Sequence, residues 1–279
     1  MVKDQAYYAN GYNKSISAIH ALRTVESNVS YVLDVLKPNF KVLDVGSGPG
    51  TITVDFGANY LTEGGSIIGV EPTPEILEDA EAYKKKYSEE HGKNLDNVSF
   101  QKGSIYKLPF EDNSFDLVHA HQVFLHLQDP VAGLKELKRV AKQGGFVCVK
   151  DGDIESTLIY PEEYEKLRDI YVLKAKNSGY TDPRAGRKLR GRAIEAGYEP
   201  ANIKTTVSNR VFGDDQDTKK LMGKLLIDRA KNGGEEFYPD DLERSKRVRE
   251  ESIELLTKFT NDITSLDVSS SFQIIYHKN

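Results

Sequence analysis

A single cysteine, Cys148, in 279 residues excludes an internal disulfide framework and a cysteine zinc cluster. Its surroundings, GGFVCVK, read as a strand interior that holds a buried, inert thiol. No run of 18 or more apolar residues is present, so no membrane-spanning helix is expected, and the opening MVKDQAYYANGYNKS lacks the charged-then-apolar layout of a secretory signal. The expectation is a soluble, cytoplasmic protein, a monomer or homodimer. Cationic excess is missing too. The 38 Lys and Arg are outnumbered by 43 Asp and Glu, for a formal net charge of −5. That balance supplies no broad attraction to phosphate backbones, which argues against nucleic acid as a partner. The one basic stretch, Arg184 to Arg192 (RAGRKLRGR), reads as a solvated helix face. Internal repeats and low-complexity tracts are absent.

From Lys41 to Val149, short β-branched runs alternate with helical patterns, the signature of βαβ units and a parallel sheet. The expected strands are KVLDV, SIIGV, VSFQ, FDLVHA and GFVCV. Thr73-Pro74-Glu75 and Asp129-Pro130 each read as a cap with proline at the first helical position. Ahead of the sheet, Ala18, Leu22, Val25, Val29, Val32 and Leu36 fall three or four residues apart, which predicts one long amphipathic helix over Ile16 to Leu36. After Val149, helices are expected near Glu162 to Lys176 and Arg187 to Ala196, and strands near Lys204 to Phe212 and Val268 to His277. The segment Gly213 to Asp267 is far longer than a hairpin needs and reads as an inserted helical pair, a substrate lid or an oligomer contact. The division is thus an N-terminal helical cap (1–36), a core (37–212), the insertion (213–267) and a final core strand (268–279).

The loop GSGPG follows one predicted strand and opens a helix, a setting in which the backbone approaches a ligand closely and helix N–H groups are exposed. Gly46, Gly48 and Gly50 give GxGxG, whereas a dinucleotide fingerprint wants its third glycine where Thr51 stands, so a nicotinamide-dependent oxidoreductase is disfavoured. Glu71 ends the second strand, where a carboxylate accepts hydrogen bonds from both ribose hydroxyls of an adenosine moiety.

VLDVGSGPGTIT, IIGVEPTPEIL, GSIYKLPFEDNSFDLV and HLQDP resemble the successive motifs of class I S-adenosylmethionine (SAM)-dependent methyltransferases, closest to the ubiquinone/menaquinone-biosynthesis methyltransferase-like group. The resemblance covers roughly Lys37 to Val149. It implies an α/β, Rossmann-like seven-stranded sheet, mainly parallel with the last strand antiparallel, helices on both faces and an added helical lid. It implies further that Asp44 orders the glycine loop or faces the methionine amino group, and that Gly46, Ser47, Gly48 and Gly50 pass beneath the methionine part. Glu71 would hold the ribose, and Pro72 would lie against the adenine. The family's glycine-aspartate-small loop after the third strand reads Gly103, Ser104 and Ile105 here, so an uncharged hydroxyl replaces the carboxylate expected at the adenine.

His121 and Gln122 fall at the end of the fourth strand, near the transferred methyl, and His121 is the candidate general base. Asp151 and Asp153 are alternatives. His119, His121 and His126 suggest a metal only weakly, since no partner carboxylate is placed by sequence; no metal is expected. His126 reads as fixing the turn before Asp129. Tyr7, Tyr8 and Tyr12, with His20, Arg23 and Thr24, are candidates to close over the cofactor, Arg23 pairing with the methionine carboxylate. Tyr160, Tyr164, Tyr171, Phe237 and Tyr238 suit either an apolar or aromatic acceptor or a helix core. The reading is methyl transfer from SAM to a small-molecule acceptor. Its rivals are protein or nucleic-acid methylation, opposed by HAHQVF where an Asn/Asp-Pro-Pro-aromatic signature is expected, and a non-catalytic SAM-binding regulator.

Overall fold

The apolar runs become seven strands: β1 (Lys41–Val45), β2 (Ser66–Glu71), β3 (Val98–Lys102), β4 (Phe115–His121), β5 (Ala141–Tyr160), β6 (Ile203–Phe212) and β7 (Leu266–His277). In the computed structural model, which describes residues 19–179, 181–232 and 237–279, they form one sheet in the order β3-β2-β1-β4-β5-β7-β6. The pairs β1–β2, β1–β4, β2–β3 and β4–β5 are parallel, while β7 runs antiparallel to both β5 and β6. Eight α-helices accompany them among the described residues: α1 (Val25–Val29), α2 (Thr51–Asp55), α3 (Pro74–His91), α4 (Pro130–Val140), α5 (Lys166–Asn177), α6 (Ala185–Glu195), α7 (Gln216–Asn232) and α8 (Leu242–Asn261).

Strand alternation divides the core into two layers. Leu43, Val45, Val118 and Ala120 face one side and pack with Leu134 and Leu137 of α4 and Leu189 and Ala193 of α6. Val42, Ile67, Leu117 and Cys148 face the other and meet Val25, Val29, Ile52, Val54 and Phe56. Cys148 is fully buried, as its strand setting implied, and burial pushes its thiol well above the usual range.

Two local expectations are corrected. The long helix over Ile16 to Leu36 does not form. Thr24 sits in extended backbone and caps α1 through a capping box with Ser27, and the chain then tightens into a 3₁₀ turn, Ser30–Asp34. The regular apolar spacing survives this because Val25, Val29 and Val32 stay buried. At Thr73 the hydroxyl makes no capping bond to α3, so Pro74 at the first helical position remains the start signal; Asp129 does cap α4, accepting the Ala132 N–H at 2.9 Å.

β5 continues well past the end of β4. His121 pairs with Lys150, yet β5 extends on from Asp151 to Tyr160 against β7, with a register shift between Asp153 and Leu158. β7 and β6 follow it to Phe212↔Asp267, and α7 and α8 are inserted between these two strands. A third cluster forms there from Ile159, Tyr164, Leu167, Phe212, Met222, Leu256 and Phe259, with Ile19, Tyr171, Leu225 and Leu226 packed against it. Among the described residues no helix is long and apolar enough to cross a membrane.

Candidate active site

A cleft of about 1010 Å³, its open mouth included, lies at the carboxyl ends of β1, β2 and β4, the edge at which open parallel sheets bind ligands. Its floor is the loop after β1. The N–H groups of Gly46 and Ser47 both donate to the Val70 carbonyl, at 2.8 and 3.1 Å, which binds the loop to the end of β2. Gly46 has φ +74°, and a Cβ there would meet Val123 Cγ2 at 2.5 Å, so only glycine lets the chain turn over Val123. Gly48 has φ +54°, but a Cβ there would meet nothing within 4 Å: the loop faces open space, as a cradle for a ligand requires.

Beneath this loop Asp44 is 3% exposed and fully engaged. One oxygen lies 2.8 Å from His119 Nδ1 and the other accepts the Thr53 hydroxyl at 2.6 Å. These bonds tie β1 to β4 and to α2, and neither reaches the glycine loop itself. Glu71, 5% exposed, accepts the Gly48 N–H and the Thr73 N–H, each at 3.3 Å. Burial dominates those bonds and pushes its carboxyl up to about 7. Pro72, Gly103 and Ile105 continue the wall.

On the β4 side stand His121 and Gln122. His121 is 7% exposed, and both of its ring nitrogens are buried without a hydrogen-bond partner. Burial, with Arg23 next, lowers its pKa well below the usual imidazole range, so the ring is neutral at pH 7. It stacks on His119 with centroids 6.4 Å apart, which follows from their alternation on β4. Gln122 adopts φ +58°, rare for a residue with a Cβ. Its side chain turns away to accept the Gly152 N–H at 3.2 Å and donate to Ser271 at 3.5 Å, fastening β4 to β5 and β7. Across the cleft lie His20 and Arg23, while Thr24 is occupied in capping α1; Tyr7, Tyr8 and Tyr12 lie outside the described residues.

Other expected residues fall elsewhere. Gly50 opens α2 behind the cleft wall, its N–H donating to the Ser47 carbonyl at 3.1 Å. Ser104 also lies off the wall, its hydroxyl accepting the Tyr106 N–H in a tight turn. Asp151 accepts the N–H groups of Phe124 and Leu125, both at 3.1 Å, and burial raises its carboxyl to about 7; Asp153 forms a forked pair with Arg187. Both acids are thereby committed to structure. His126 does line the cleft and bonds Thr181 at 3.2 Å. The basic stretch is mostly paired: Arg184 with Glu155, and Lys188 and Arg192 with Asp182. Of the five aromatic candidates, Tyr160 is solvent-exposed, Tyr164 packs edge-on against Phe259, and Tyr238 stacks with Arg244. Phe237 is buried, its carbonyl accepting from Asn177. Tyr171 is the exception, with a buried hydroxyl that has no hydrogen-bond partner. Among the described residues no three His, Cys, Asp or Glu side chains converge as a metal site requires. Sequence reasoning missed Val123 and Leu127; both follow β4, and the loop after a parallel strand is where cleft residues collect.

Comparison with known proteins agrees with this geometry. The family model described as a methyltransferase domain matches residues 36–181. An uncharacterised methyltransferase of Schizosaccharomyces pombe is 43% identical over 275 residues, covering 99% of this chain and 98% of the relative. A demethylmenaquinone methyltransferase of Staphylococcus carnosus is 33% identical over 116 residues, 41% of this chain and 44% of that one. The crystal structure of the YcgJ protein of Bacillus subtilis superimposes with a TM-score of 0.56 at 20% identity, covering 90% of this chain and 97% of its own, a likeness of fold. With a matching family model over half its length, a relative over nearly all of it, and a glycine-loop cleft at the carboxyl edge of the sheet, the chain belongs to the Rossmann-like, SAM-dependent methyltransferases.

Proposed function

We propose that this enzyme methylates a small-molecule acceptor bound beside His121. The observation that carries the reading is the His121 ring itself: buried, neutral, and with both nitrogens unpartnered on the wall of the cleft. Polar atoms so placed in a folded protein are nearly always hydrogen-bonded, so such a pair marks where a ligand binds.

The cleft residues fit SAM. The Glu71 carboxylate would accept the ribose hydroxyls, with Pro72, Gly103 and Ile105 against the adenine. The backbone from Gly46 to Gly48, with the buried and unpartnered Ser47 hydroxyl, would run beneath the methionine part. Arg23 would meet the methionine carboxylate, a charge-assisted contact. SAM supplies a methyl group on a good leaving group, so the protein's share is alignment and the exclusion of water. His121 contributes a neutral ring nitrogen that accepts the proton of a hydroxyl or N–H acceptor as that atom is methylated, while Gln122 holds the strand end that presents it.

Calorimetric titration with SAM, S-adenosylhomocysteine and NADH tests the cofactor assignment, and release of S-adenosylhomocysteine across an acceptor panel tests turnover. The expected result is tight binding of both adenosyl ligands, much weakened by Glu71→Ala, no response to NADH, and turnover with small molecules. Tight binding with turnover only on protein or nucleic acid would overturn the acceptor class.

A further inference from the structure

Beyond the cleft, β5, β7 and β6 continue as a three-stranded arm with two faces. Ile159 and Phe212, both level with Asp267, point to the face that the inserted helices cover and are buried in their core. The register sets the other face. Leu158, Val268 and Val211 stand in one row across the three strands, Tyr160 and Leu266 in the next, and Phe272 and Val207 in a row nearer the cleft. Phe272 runs under the start of α6, where a Cβ on Gly186 would meet its ring at 3.0 Å. From there outward the face is open: Leu158 is 65% exposed, Tyr160 54%, Val211 53% and Val207 51%. Apolar side chains that are contiguous and this exposed mark a surface on which another surface docks.

Charge and area decide which one. The chain is 29% charged with a formal net charge of −5, yet none of these seven side chains carries a charge. The cations of β6 turn to the opposite side, Lys204 pairing with Asp34 at 2.9 Å and Arg210 standing over the Phe212 ring. The polar pair between the rows, Ser270 and Asn209, is hydrogen-bonded to itself at 2.9 Å. A strongly charged partner finds no ion-pairing group on such rows. A second copy of the same face matches them, because apolar rows meet apolar rows and no like charges are brought together. From Phe272 to Leu266 the face is roughly 20 Å long, and three strands make it roughly 14 Å wide, for about 300 Å². That is under half of the about 800 Å² per partner in a stable dimer, and it suits a pair that forms reversibly.

We propose that two copies of this chain associate through this face, the two arms packed face to face about a two-fold axis, with Leu158, Tyr160 and Val211 of each copy against those of the other. The insertions then lie on the outer sides of the pair. None of these three residues lines the cleft, so the association is independent of the methyltransferase reading.

Sedimentation velocity of the full chain from about 1 to about 300 µM tests it, with a dissociation constant expected on the order of 10–100 µM. Raising NaCl from about 0.05 to about 0.5 M is expected to leave the association unchanged or strengthen it, since no ion pair is lost and repulsion between two net-negative chains is screened. Leu158→Lys and Val211→Lys are each expected to weaken it at least about tenfold. Both side chains are more than half exposed, so the urea midpoint and the affinity of the dilute protein for S-adenosylhomocysteine should stay near those of the unaltered chain, and either variant alone suffices. A monomer at every concentration, a dimer that survives both substitutions, or one that weakens as salt is raised would overturn the proposal. So would a dimer abolished by Val211→Lys and untouched by Leu158→Lys, two strands from the sheet edge, because that pattern belongs to edge-to-edge pairing of β6.

Discussion

Cofactor affinity should depend on pH through Glu71. Burial holds its carboxyl at about 7 in the ligand-free protein, and ribose hydroxyls donating to it favour the ionised form. With a pKa near 7, Glu71 is ionised in about ten molecules of eleven at pH 8 and about one of eleven at pH 6, so S-adenosylhomocysteine affinity should fall by up to about tenfold over that interval. Binding at pH 7 should release about half a proton, seen as different apparent enthalpies in phosphate and Tris. Among the described groups whose pKa burial shifts, two others fall in or near this window. Asp151 stands at about 7 and Lys150 at about 8, both because of burial, but neither lines the cleft. Glu71→Gln isolates the effect: it should bind more weakly, with no slope between pH 6 and 8 and no proton release. A flat profile in the unaltered protein, or the same slope in Glu71→Gln, would refute the assignment of Glu71 to the ribose.

The same burial sets the stability of the ligand-free protein. Glu71 and Asp151 have folded pKa values near 7, above their unfolded ones, so their contribution is complete below about pH 4 and is lost as pH rises through 7. Urea unfolding should show stability lower at pH 8 than at pH 5.5 by on the order of 3 kcal/mol, the difference shrinking in Asp151→Asn. Gly46→Ala should cost about 1–3 kcal/mol through its φ and its clash with Val123, whereas Gly48→Ala should fold nearly as well yet bind S-adenosylhomocysteine more weakly, a contrast that denaturation and calorimetry separate. His121→Ala should lower kcat by about 10²–10⁴ while S-adenosylhomocysteine affinity stays within about threefold; unchanged turnover would remove His121 from proton transfer.

The central strands were legible because they are buried on both faces and therefore read as unbroken β-branched runs. The rest of β5, DGDIESTLIY, hides its strand character: it rises beyond the two-layered core, alternates acids with apolar residues, and takes its order from β7. The N-terminal helix was misread because apolar spacing reports which residues are buried, and a capping box at Thr24 is compatible with the same spacing. Gly46, Gly48 and Glu71, which the sequence singled out, fall on the cleft wall because their signals are local: a turn, an exposed loop and a strand end. Asp151 was misplaced because its partners, the Phe124 and Leu125 N–H groups, come from another crossover.

The helical pair leaves the sheet at Phe212 and returns at Leu266, and Phe212 faces Asp267 across the ladder. An insertion whose two ends are neighbours on a finished hairpin is a graft: lengthening, shortening or exchanging it alters neither the register of β6 on β7 nor the pairing of β1, β2 and β4 that shapes the glycine loop. Loop-closure entropy grows only slowly with length, so the sheet tolerates such exchanges at little cost. The fold therefore separates the paired strands and the glycine loop from residues 213–265, which are free to diverge while the rest of the sheet stays intact.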